Sequence, residues 1–323
     1  MEEHYDVVII GTGAAGLAAS LYAGRYKMKV LTIGEDFGGA TATAWTIWNY
    51  PGAKAIDGYD LMKIMKEQAE NVGAKIIDGK VTKVEKEGDC FVVSTRDKKY
   101  ETSTVIFAIG TERRHLGLPN EKELTGKGIH YCATCDAPLY IGKTIIVVGG
   151  GDASVKGINL AGEYADKIYL ITMEKELHGE PINLEQMEKL GDKVEVLYET
   201  TIEEIIGTEK FEKVKLSKEF NGNNELVADG LFIEIGAVPD VELPKSLGVA
   251  LDEEGYIKVN NMMQTNIPGI CAAGDAVNIF GSFKQDITAA CTGSVAATSA
   301  YEFERKYGGT CEKHTKPHVK NTV

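Results

Sequence analysis

The sequence predicts an α/β fold with two nucleotide-binding domains of three layers each, because two glycine-rich loops occur in matching contexts. The loops occupy residues 11–16 and 149–154, and each directly follows a continuous apolar run, 5–10 or 144–148. Such runs are typical of parallel strands that are buried on both faces. Each loop leads into a helical segment, so each copy begins a βαβ unit that presents a helix N-terminus to a phosphate group.

The order of the two copies predicts that one domain is inserted in the other. The first copy reaches an apolar strand that ends at Gly110, the pattern then restarts, and a similar strand ends at Gly236. A chain of 323 residues is long enough for two domains with separate cores. We therefore expect a discontinuous Rossmann-like domain of residues 1–114 and 243–323, and an inserted Rossmann-like domain of residues 115–242.

Composition and charge exclude several classes of partner. The chain carries 35 Lys and Arg against 48 Asp and Glu, a net charge of −13, and has no basic cluster, so we expect no nucleic-acid partner. No apolar run approaches the roughly 20 residues of a membrane span, so we expect no membrane contact. The acidic start of the chain is unlike a signal peptide and predicts a cytoplasmic location.

A pair of cysteines in the inserted domain indicates redox chemistry. Cys132 and Cys135 alone among the six cysteines have motif spacing, and such a pair supports a reversible disulfide. A zinc site needs four ligands, and the nearby His130 does not complete a familiar set, so we expect no metal. Asp136 follows the pair directly. It is either an acid–base group for the leaving thiolate or a cap of the next segment.

Acidic residues near the two loops are candidates for binding a nucleotide. Glu35 lies 19 residues after Gly16, where a ribose hydroxyl is expected; the alternative is a glycine turn that binds nothing. Glu174 lies 20 residues after Ser154, which replaces the third glycine of the second loop. A carboxylate there favours the 2′-hydroxyl of NADH over the 2′-phosphate of NADPH. The alternative is a degenerate loop that has lost its nucleotide.

The motifs together resemble those of the low-molecular-weight thioredoxin reductases, in the pyridine nucleotide-disulfide oxidoreductase superfamily. The resemblance runs over nearly the whole chain, and the Cys-Ala-Thr-Cys-Asp form of the cysteine motif is its most specific element. The matching segments are residues 11–16, 37–39, 49–52, 132–136, 149–151, 269–275 and 283–289.

The resemblance implies an FAD-dependent thioredoxin-disulfide reductase that passes electrons through FAD to the Cys132–Cys135 disulfide and on to thioredoxin or a glutaredoxin-like protein. It implies that Cys135 lies against the flavin, that Cys132 attacks the partner, that Asp136 is the acid–base residue, and that the protein is a homodimer. The FAD contacts it implies are Gly11, Gly13, Ala14, Ala15, Gly16, Glu35, Gly38, Gly39, Thr41, Asn49, Val81, Gly110, Asp275, Lys284, Gln285 and Ile287. The candidate contacts to a nicotinamide nucleotide are Gly149, Gly151, Asp152, Ser154 and Glu174.

Departures from the family pattern concern mainly the electron donor. The family's arginine run for the 2′-phosphate of NADPH is missing from residues 172–178, and the family's acidic residue on the second-loop helix is Lys156 here. Three departures lie in or beside the FAD segments: Lys284 replaces an arginine, Asp286 replaces a small residue, and Ala40 replaces a glutamine. The sequence therefore disfavours NADPH and favours NADH or a donor that is no nicotinamide, such as reduced ferredoxin or a deazaflavin.

Two other functions remain open from the sequence. The same fold can run in reverse as a flavin-dependent dithiol oxidase that passes electrons to oxygen. A redox-sensing protein with an idle flavin is a third reading, and the intact cysteine pair argues against it because such a protein need not keep both thiols.

Overall fold

The computed structural model describes residues 3–44, 46–281 and 283–307, and these form two compact units. The second unit is the segment Arg113–Ala237, and the first unit contains the described chain before and after it. The two positions at which the chain passes from one unit to the other lie within five residues of the boundaries expected from the sequence. At the changeover the two crossing segments pair as a short two-stranded sheet.

The first unit is built on a seven-stranded sheet whose parallel part contains five strands. In spatial order these are Lys75–Asp78, Val30–Gly34, Glu3–Ile10, Lys99–Phe107 and Ile270–Ala272. Two antiparallel strands, Cys90–Thr95 and Val81–Glu87, continue the sheet beyond the start of Lys99–Phe107. A separate small sheet pairs Thr46–Ile47 with Ile56–Asp57.

Strand register brings the carboxyl ends of the central strands to one edge of this sheet. Ile10 lies opposite both Ile33 and Phe107, and Phe107 lies opposite Ala272. The loops that follow these strands therefore meet at the same edge, which is where ligands bind in open parallel sheets.

Helices cover the first sheet, and the two main ones pack closely. They are Ala14–Arg25, Gly39–Ala42, Gly58–Asn71, Glu242–Ser246 and Asp286–Tyr307, with a 3₁₀ turn at Gly274–Ala276. A side chain at Gly293 on the last helix would overlap the Ala15 carbonyl, so the absence of one lets the first and last helices touch. The apolar periodicity of residues 56–72 predicts a helix over that range. The observed helix begins at Gly58, since Asp57 is its N-cap and accepts the backbone N–H of Tyr59 at 2.9 Å.

The second unit repeats the plan with a five-stranded parallel sheet. Its spatial order is Ile129–His130, Gly230–Ile233, Thr144–Val148, Lys167–Ile171 and Val194–Leu197. Three antiparallel strands, Ile202–Gly207, Phe211–Phe220 and Asn223–Val227, form a second sheet that shares a buried apolar cluster with it. The helices are Glu121–Leu124, Ala133–Asp136, Asp152–Ala161 and Pro181–Glu188, with 3₁₀ turns at Ala137–Tyr140 and Gly191–Lys193.

The predicted fold class is confirmed, because both units are three-layer α/β domains around parallel sheets. The strand predicted at 144–148 has those bounds, whereas the one predicted to end at Gly236 ends at Ile233. Every helix in the described part of the chain is too short or too polar to cross a membrane.

Candidate redox site

The first glycine loop has the close backbone approach that a pyrophosphate-binding turn requires. Gly11 has φ of 113°, and a Cβ there would overlap the carbonyl oxygen of Ala108. A Cβ at Gly16 would overlap the carbonyl oxygen of Gly11. Only glycine fits at both positions, so the strand end and the helix start are held together as predicted for a nucleotide turn.

The segment after the second strand lies against this loop. The backbone N–H of Gly38 donates to the Thr12 carbonyl at 3.1 Å, and the Thr12 hydroxyl donates to the Asp36 carbonyl at 3.1 Å. The backbone of Gly39 faces Gly13, since a Cβ on Gly39 would lie 3.6 Å from the Gly13 Cα. Glu35 is exposed at the strand end and pairs with Lys80 at 2.9 Å. The structure thus brings together the predicted FAD residues on these two segments.

Two hydrogen bonds connect this region to the last helix. Asn49 donates to the side-chain oxygen of Gln285 at 2.9 Å, and Thr41 donates to Asp286 at 2.5 Å. Burial raises the pKa of Asp286, and the Thr41 hydrogen bond opposes that rise. Four residues that the sequence singled out therefore form two contacting pairs at the start of the last helix.

Asp275 follows the strand Ile270–Ala272 at the same edge of the sheet. Burial raises the pKa of its carboxyl, with Lys284 acting in the opposite direction. The side chain is half-buried, and among the described residues none donates a hydrogen bond to its carboxylate. The Lys284 ammonium donates instead to the Val277 carbonyl at 2.5 Å and lies 4.2 Å from the centre of the Tyr256 ring. A ribityl hydroxyl would satisfy Asp275, so these residues fit FAD.

Five of the predicted FAD residues lie apart from these contacts. Gly110 follows the strand Lys99–Phe107 and has φ of 62°. Ala14 and Ala15 are buried in the first helical turn, and Val81 is buried at the start of its strand. Ile287 lines a groove with Tyr50 between the first and last helices, whereas Asp275 and Lys284 line a different, smaller cavity.

The second glycine loop in the second unit has the same backbone geometry as the first. Gly149 has φ of 147°, and a Cβ there would overlap the carbonyl oxygen of Glu234. Ser154 is fully buried and donates to the Gly151 carbonyl at 2.7 Å, so serine fits the third position. Asp152 accepts the backbone N–H of Glu180 at 2.8 Å, and the helix start therefore already holds one carboxylate.

Asp152 is committed to contacts within the second unit. It pairs with Lys156 at 2.7 Å and accepts the Asn183 amide at 2.9 Å. Burial raises the pKa of Asp152, but these bonds and that from the backbone of Glu180 more than offset it, so its pKa lies below the ordinary value. Asp152 thus fastens the 180–183 segment to the loop.

Glu174 lies beside the middle glycine of the second loop. Its Cγ would be 3.1 Å from a Cβ placed on Gly150, and the backbone N–H of His178 donates to the Gly150 carbonyl at 2.7 Å. The segment 172–178 contains Lys175 and no arginine. A carboxylate in this place can accept ribose hydroxyls and repels a 2′-phosphate.

The two cysteines of the motif form a disulfide in the second unit. Their Cα atoms are 5.3 Å apart, and Cys132 is the N-cap of the helix Ala133–Asp136. Cys135 is exposed and Cys132 is half-buried. The predicted disulfide is therefore present, and its sulfurs are near the surface of the unit that carries them.

A buried carboxylate beneath the motif was missed by the sequence analysis. One oxygen of Glu234 accepts the backbone N–H of Ala133 at 3.0 Å, and the other pairs with Arg113 at 2.9 Å. Burial raises the pKa of Glu234, and Arg113 opposes the rise. The available signal was an acid following an otherwise apolar strand.

A buried histidine contacting Asp136 was also missed. His130 Nδ1 lies 2.9 Å from an Asp136 oxygen, and His130 Nε2 lies 2.7 Å from the Tyr140 hydroxyl. The ring stacks on Phe232 with centroids 5.1 Å apart and is 7% exposed. The sequence shows a histidine two residues before the motif, but it was weighed there only as a zinc ligand. No metal-type cluster of three or more His, Cys, Asp or Glu occurs among residues the structure describes.

Comparison with known proteins agrees with this geometry. Residues 5–296 match the family described as pyridine nucleotide-disulphide oxidoreductase, and the chain belongs to that family. It is an oxidoreductase, and within the family it groups with the low-molecular-weight thioredoxin reductases. The family implies FAD and a nicotinamide cofactor.

Three relatives show the extent of the similarity. The thioredoxin reductase of Listeria innocua is 37% identical over 305 residues, 94% of each chain. The crystal structure of Lactococcus lactis thioredoxin reductase has a TM-score of 0.86 at 34% identity, covering 93% of this chain and 98% of that one. A ferredoxin-flavin thioredoxin reductase from Clostridium acetobutylicum has a TM-score of 0.51 at 35% identity, with 94% and 98% covered.

Proposed function

We propose that the protein is an FAD-dependent thioredoxin-disulfide reductase whose electrons leave through Cys132 and Cys135. The observation that carries the proposal is the Cys132–Cys135 disulfide on a short helix that ends in Asp136. The relatives named thioredoxin reductase, at 34–37% identity over most of the chain, support it. They give no support to the dithiol-oxidase alternative.

FAD would be held by the edge of the first sheet. The turn at Gly11 and Gly16 would receive the pyrophosphate at the N-terminus of the first helix, and Glu35 would accept ribose hydroxyls. Asp275, which lacks a donor among described residues, would accept a ribityl hydroxyl. Bound FAD would supply two-electron transfer to and from the cysteine pair. The hydrogen bonds of Thr41 to Asp286 and of Asn49 to Gln285 fasten their segments to the start of the last helix, beside the proposed FAD site.

The reduced cysteines perform the exchange with the protein substrate. The Cys132 thiolate attacks one sulfur of the partner's disulfide, forming a mixed disulfide and releasing a partner thiolate, which takes up a proton. Cys135 then loses its proton and attacks the Cys132 sulfur, which restores the Cys132–Cys135 disulfide and releases the second partner thiolate. Two electrons and two protons pass to the partner. Asp136 holds or moves these protons.

The proposed donor is NADH or a reductant that is no nicotinamide. Glu174 beside Gly150 supports NADH, and the absence of arginine from 172–178 speaks against NADPH. The similarity to a ferredoxin-flavin thioredoxin reductase supports a ferredoxin-type donor. We also propose thioredoxin or a glutaredoxin-like protein as substrate, a homodimer, and a cytoplasmic location without a nucleic-acid partner.

The test is reduction of thioredoxin by the FAD-loaded protein under anaerobic conditions, with NADH, NADPH or chemically reduced ferredoxin as donor in parallel. We expect thioredoxin thiols with at least one donor and none with Cys132→Ser. Cys291→Ser is the matched control, because Cys291 is an exposed free cysteine of the first unit and should leave the rate unchanged. Oxygen consumption without thioredoxin reduction would contradict the proposal.

A further inference from the structure

His130 is hydrogen-bonded through both ring nitrogens, and one of its partners is the acid of the redox motif. Nδ1 lies 2.9 Å from Asp136 Oδ2 and Nε2 lies 2.7 Å from the Tyr140 hydroxyl. A histidine that is 7% exposed and has two such partners has a fixed ring orientation. The proposed function above does not use this residue.

The partners determine which ring nitrogen carries the proton. Burial, followed by the charges of Asp136 and Asp229, raises the pKa of Tyr140 to about 12, so its hydroxyl stays protonated at neutral pH. The Asp136 carboxylate can only accept, so the proton that faces it is on Nδ1, and in that tautomer Nε2 accepts from the Tyr140 hydroxyl. The Nδ1–H then donates to Asp136. The chain Tyr140–His130–Asp136 has one consistent direction of donation.

The surroundings hold the ring in place. His130 lies directly opposite Phe232 in the parallel strand pair and stacks on its ring at 24°. The charged groups near the His130–Tyr140 pair include Asp136 on the cysteine helix, Asp229 before the neighbouring strand and Glu234 after it. The Lys143 ammonium lies 5.5 Å from the centre of the Tyr140 ring. Glu234 is paired with Arg113, so Asp136 is the carboxylate in direct contact with the imidazole.

Asp136 needs such a contact to act as an acid–base group. Its side chain is 33% exposed, and a half-buried aspartate at the end of a four-residue helix can adopt several rotamers. His130 binds Oδ2 only, and among described residues no donor occupies Oδ1. One oxygen is thus fixed by the histidine, and the other has no donor among the described residues.

We propose that His130 is a positioning residue for Asp136, fixing one carboxylate oxygen so that the other exchanges protons with the cysteine thiols during thiol–disulfide exchange. The inference rests on the proposed function for the identity of the protein substrate. The proton movement itself is that of any dithiol reducing a disulfide. One thiol proton leaves Cys135 as its sulfur attacks Cys132, and one proton reaches the departing thiolate.

The experiment uses the full chain reduced by dithiothreitol, freed of reductant and mixed with a short cystine-bridged peptide. Acid quench and mass spectrometry follow the mixed disulfide at Cys132 and its resolution by Cys135 between pH 5 and 9. We expect Asp136→Asn to slow resolution of the mixed disulfide about tenfold or more and to remove the part of its pH dependence that Asp136 contributes. His130→Ala should slow resolution to a similar extent and remove the same part of the pH dependence. The double variant should be no slower than the slower single variant.

Two further variants keep the test decisive if His130→Ala folds poorly. His130→Gln retains a donor for Asp136 and should recover part of the rate. Tyr140→Phe keeps the ring contacts on Phe232 and should give a smaller loss of the same sign. Histidine ¹⁵N NMR on the wild type should show a protonated Nδ1 and an unprotonated Nε2 at pH 7.

The inference is overturned if folded His130 variants resolve the peptide within twofold of the wild type, or if the effects of His130→Ala and Asp136→Asn multiply. The assay needs neither FAD turnover nor thioredoxin. If the variants behave as expected while thioredoxin is not reduced, the proposed function fails alone. If thioredoxin is reduced normally by the His130 variants, the positioning role fails alone.

Discussion

Glu234 accepts the backbone N–H of Ala133, the residue that follows the first motif cysteine, at 3.0 Å. Its other oxygen binds Arg113, whose side chain is 43% exposed while that of Glu234 is 5% exposed. A buried carboxylate with one partly solvated partner carries a desolvation cost that a single ion pair does not fully offset. The contact therefore orients the cysteine helix at some expense of stability.

Glu234→Gln should make the protein more stable at neutral pH. Burial raises the folded-state pKa of Glu234, so the folded state binds a proton that the unfolded state has already lost, and stability falls as pH rises through that window. Glutamine keeps an acceptor for the Ala133 N–H and removes the charge. We expect a gain of about 1 kcal/mol in urea unfolding at pH 7 and a smaller gain near pH 4.

Arg113→Gln is the matched control for that prediction. Removing the arginine takes away the group that lowers the pKa of Glu234, so this variant should lose stability at pH 7. A loss of stability in Glu234→Gln equal to that in Arg113→Gln would show that the charged pair is net stabilising.

Glu121→Ala should destabilise the protein by about 2 to 3 kcal/mol at pH 7. The Glu121 carboxylate accepts the backbone N–H groups of Leu116, Gly117 and Leu118 and the Tyr131 hydroxyl, at 2.7–3.3 Å. Burial raises the pKa of Glu121, but these hydrogen bonds lower it by more than burial raises it. The folded-state pKa of Glu121 therefore lies below the ordinary value.

The pH dependence of Glu121 follows from that direction. With a lowered folded-state pKa, its contribution to stability is present above the unfolded pKa and is lost as pH falls through the folded pKa. Urea unfolding at pH 7 and pH 3 measures it. The control is Glu123→Ala, an exposed residue on the same short helix, which should change stability by less than about 0.5 kcal/mol. Equal effects of the two variants would contradict the account.

Glu174→Arg should shift nucleotide preference if the second loop binds a nicotinamide nucleotide. Glu174 lies beside Gly150, so an arginine there would bind a 2′-phosphate through charge-assisted hydrogen bonds. We expect anaerobic flavin bleaching in the wild type by NADH at concentrations at least tenfold below those needed for NADPH, and a reversal of that order in the variant. Glu176→Arg is the control. No bleaching of either protein by either nucleotide, with bleaching by dithionite, would assign the donor outside the nicotinamides.

Asp275→Ala should reduce retention of FAD by about tenfold, the effect of one buried hydrogen bond to a carboxylate. The physical reason is that the Asp275 carboxylate has no donor among described residues and would be satisfied by a ligand hydroxyl. Equilibrium dialysis of the deflavinated protein against FAD measures it. Glu253→Ala, at an exposed position of a turn, is the control and should bind FAD as the wild type does.

Local sequence patterns sufficed for the two loops, the central strands and the cysteine disulfide, because each depends on residues close together in the chain. The start of the helix at Gly58 was predicted wrongly because Ile56 pairs with Ile47 in a small sheet, and apolar periodicity cannot show that pairing. His130 was missed as a partner of Asp136 for a related reason. Its burial depends on Phe232, about a hundred residues away, in a register that only the folded sheet defines.

The sequence predicts the electron donor only through the residues that would bind its phosphate and ribose. The missing arginine and the presence of Glu174 are visible in the sequence, and the structure adds that Glu174 lies at the loop. Glu234 was missed because the strand that precedes it is uniformly apolar, as buried parallel strands are. The Ala133 contact that makes this glutamate relevant joins residues 101 positions apart.

The most direct test of the account is to trap the mixed disulfide with thioredoxin. In Cys135→Ser no neighbouring thiol can release thioredoxin from a mixed disulfide at Cys132. The reduced variant mixed with oxidised thioredoxin should therefore form a covalent adduct at Cys132, which peptide mass spectrometry locates. Cys132→Ser should form none. An adduct at Cys135 in that second variant, at Cys291 in either, or no adduct in either would contradict the proposal that Cys132 carries electrons to thioredoxin.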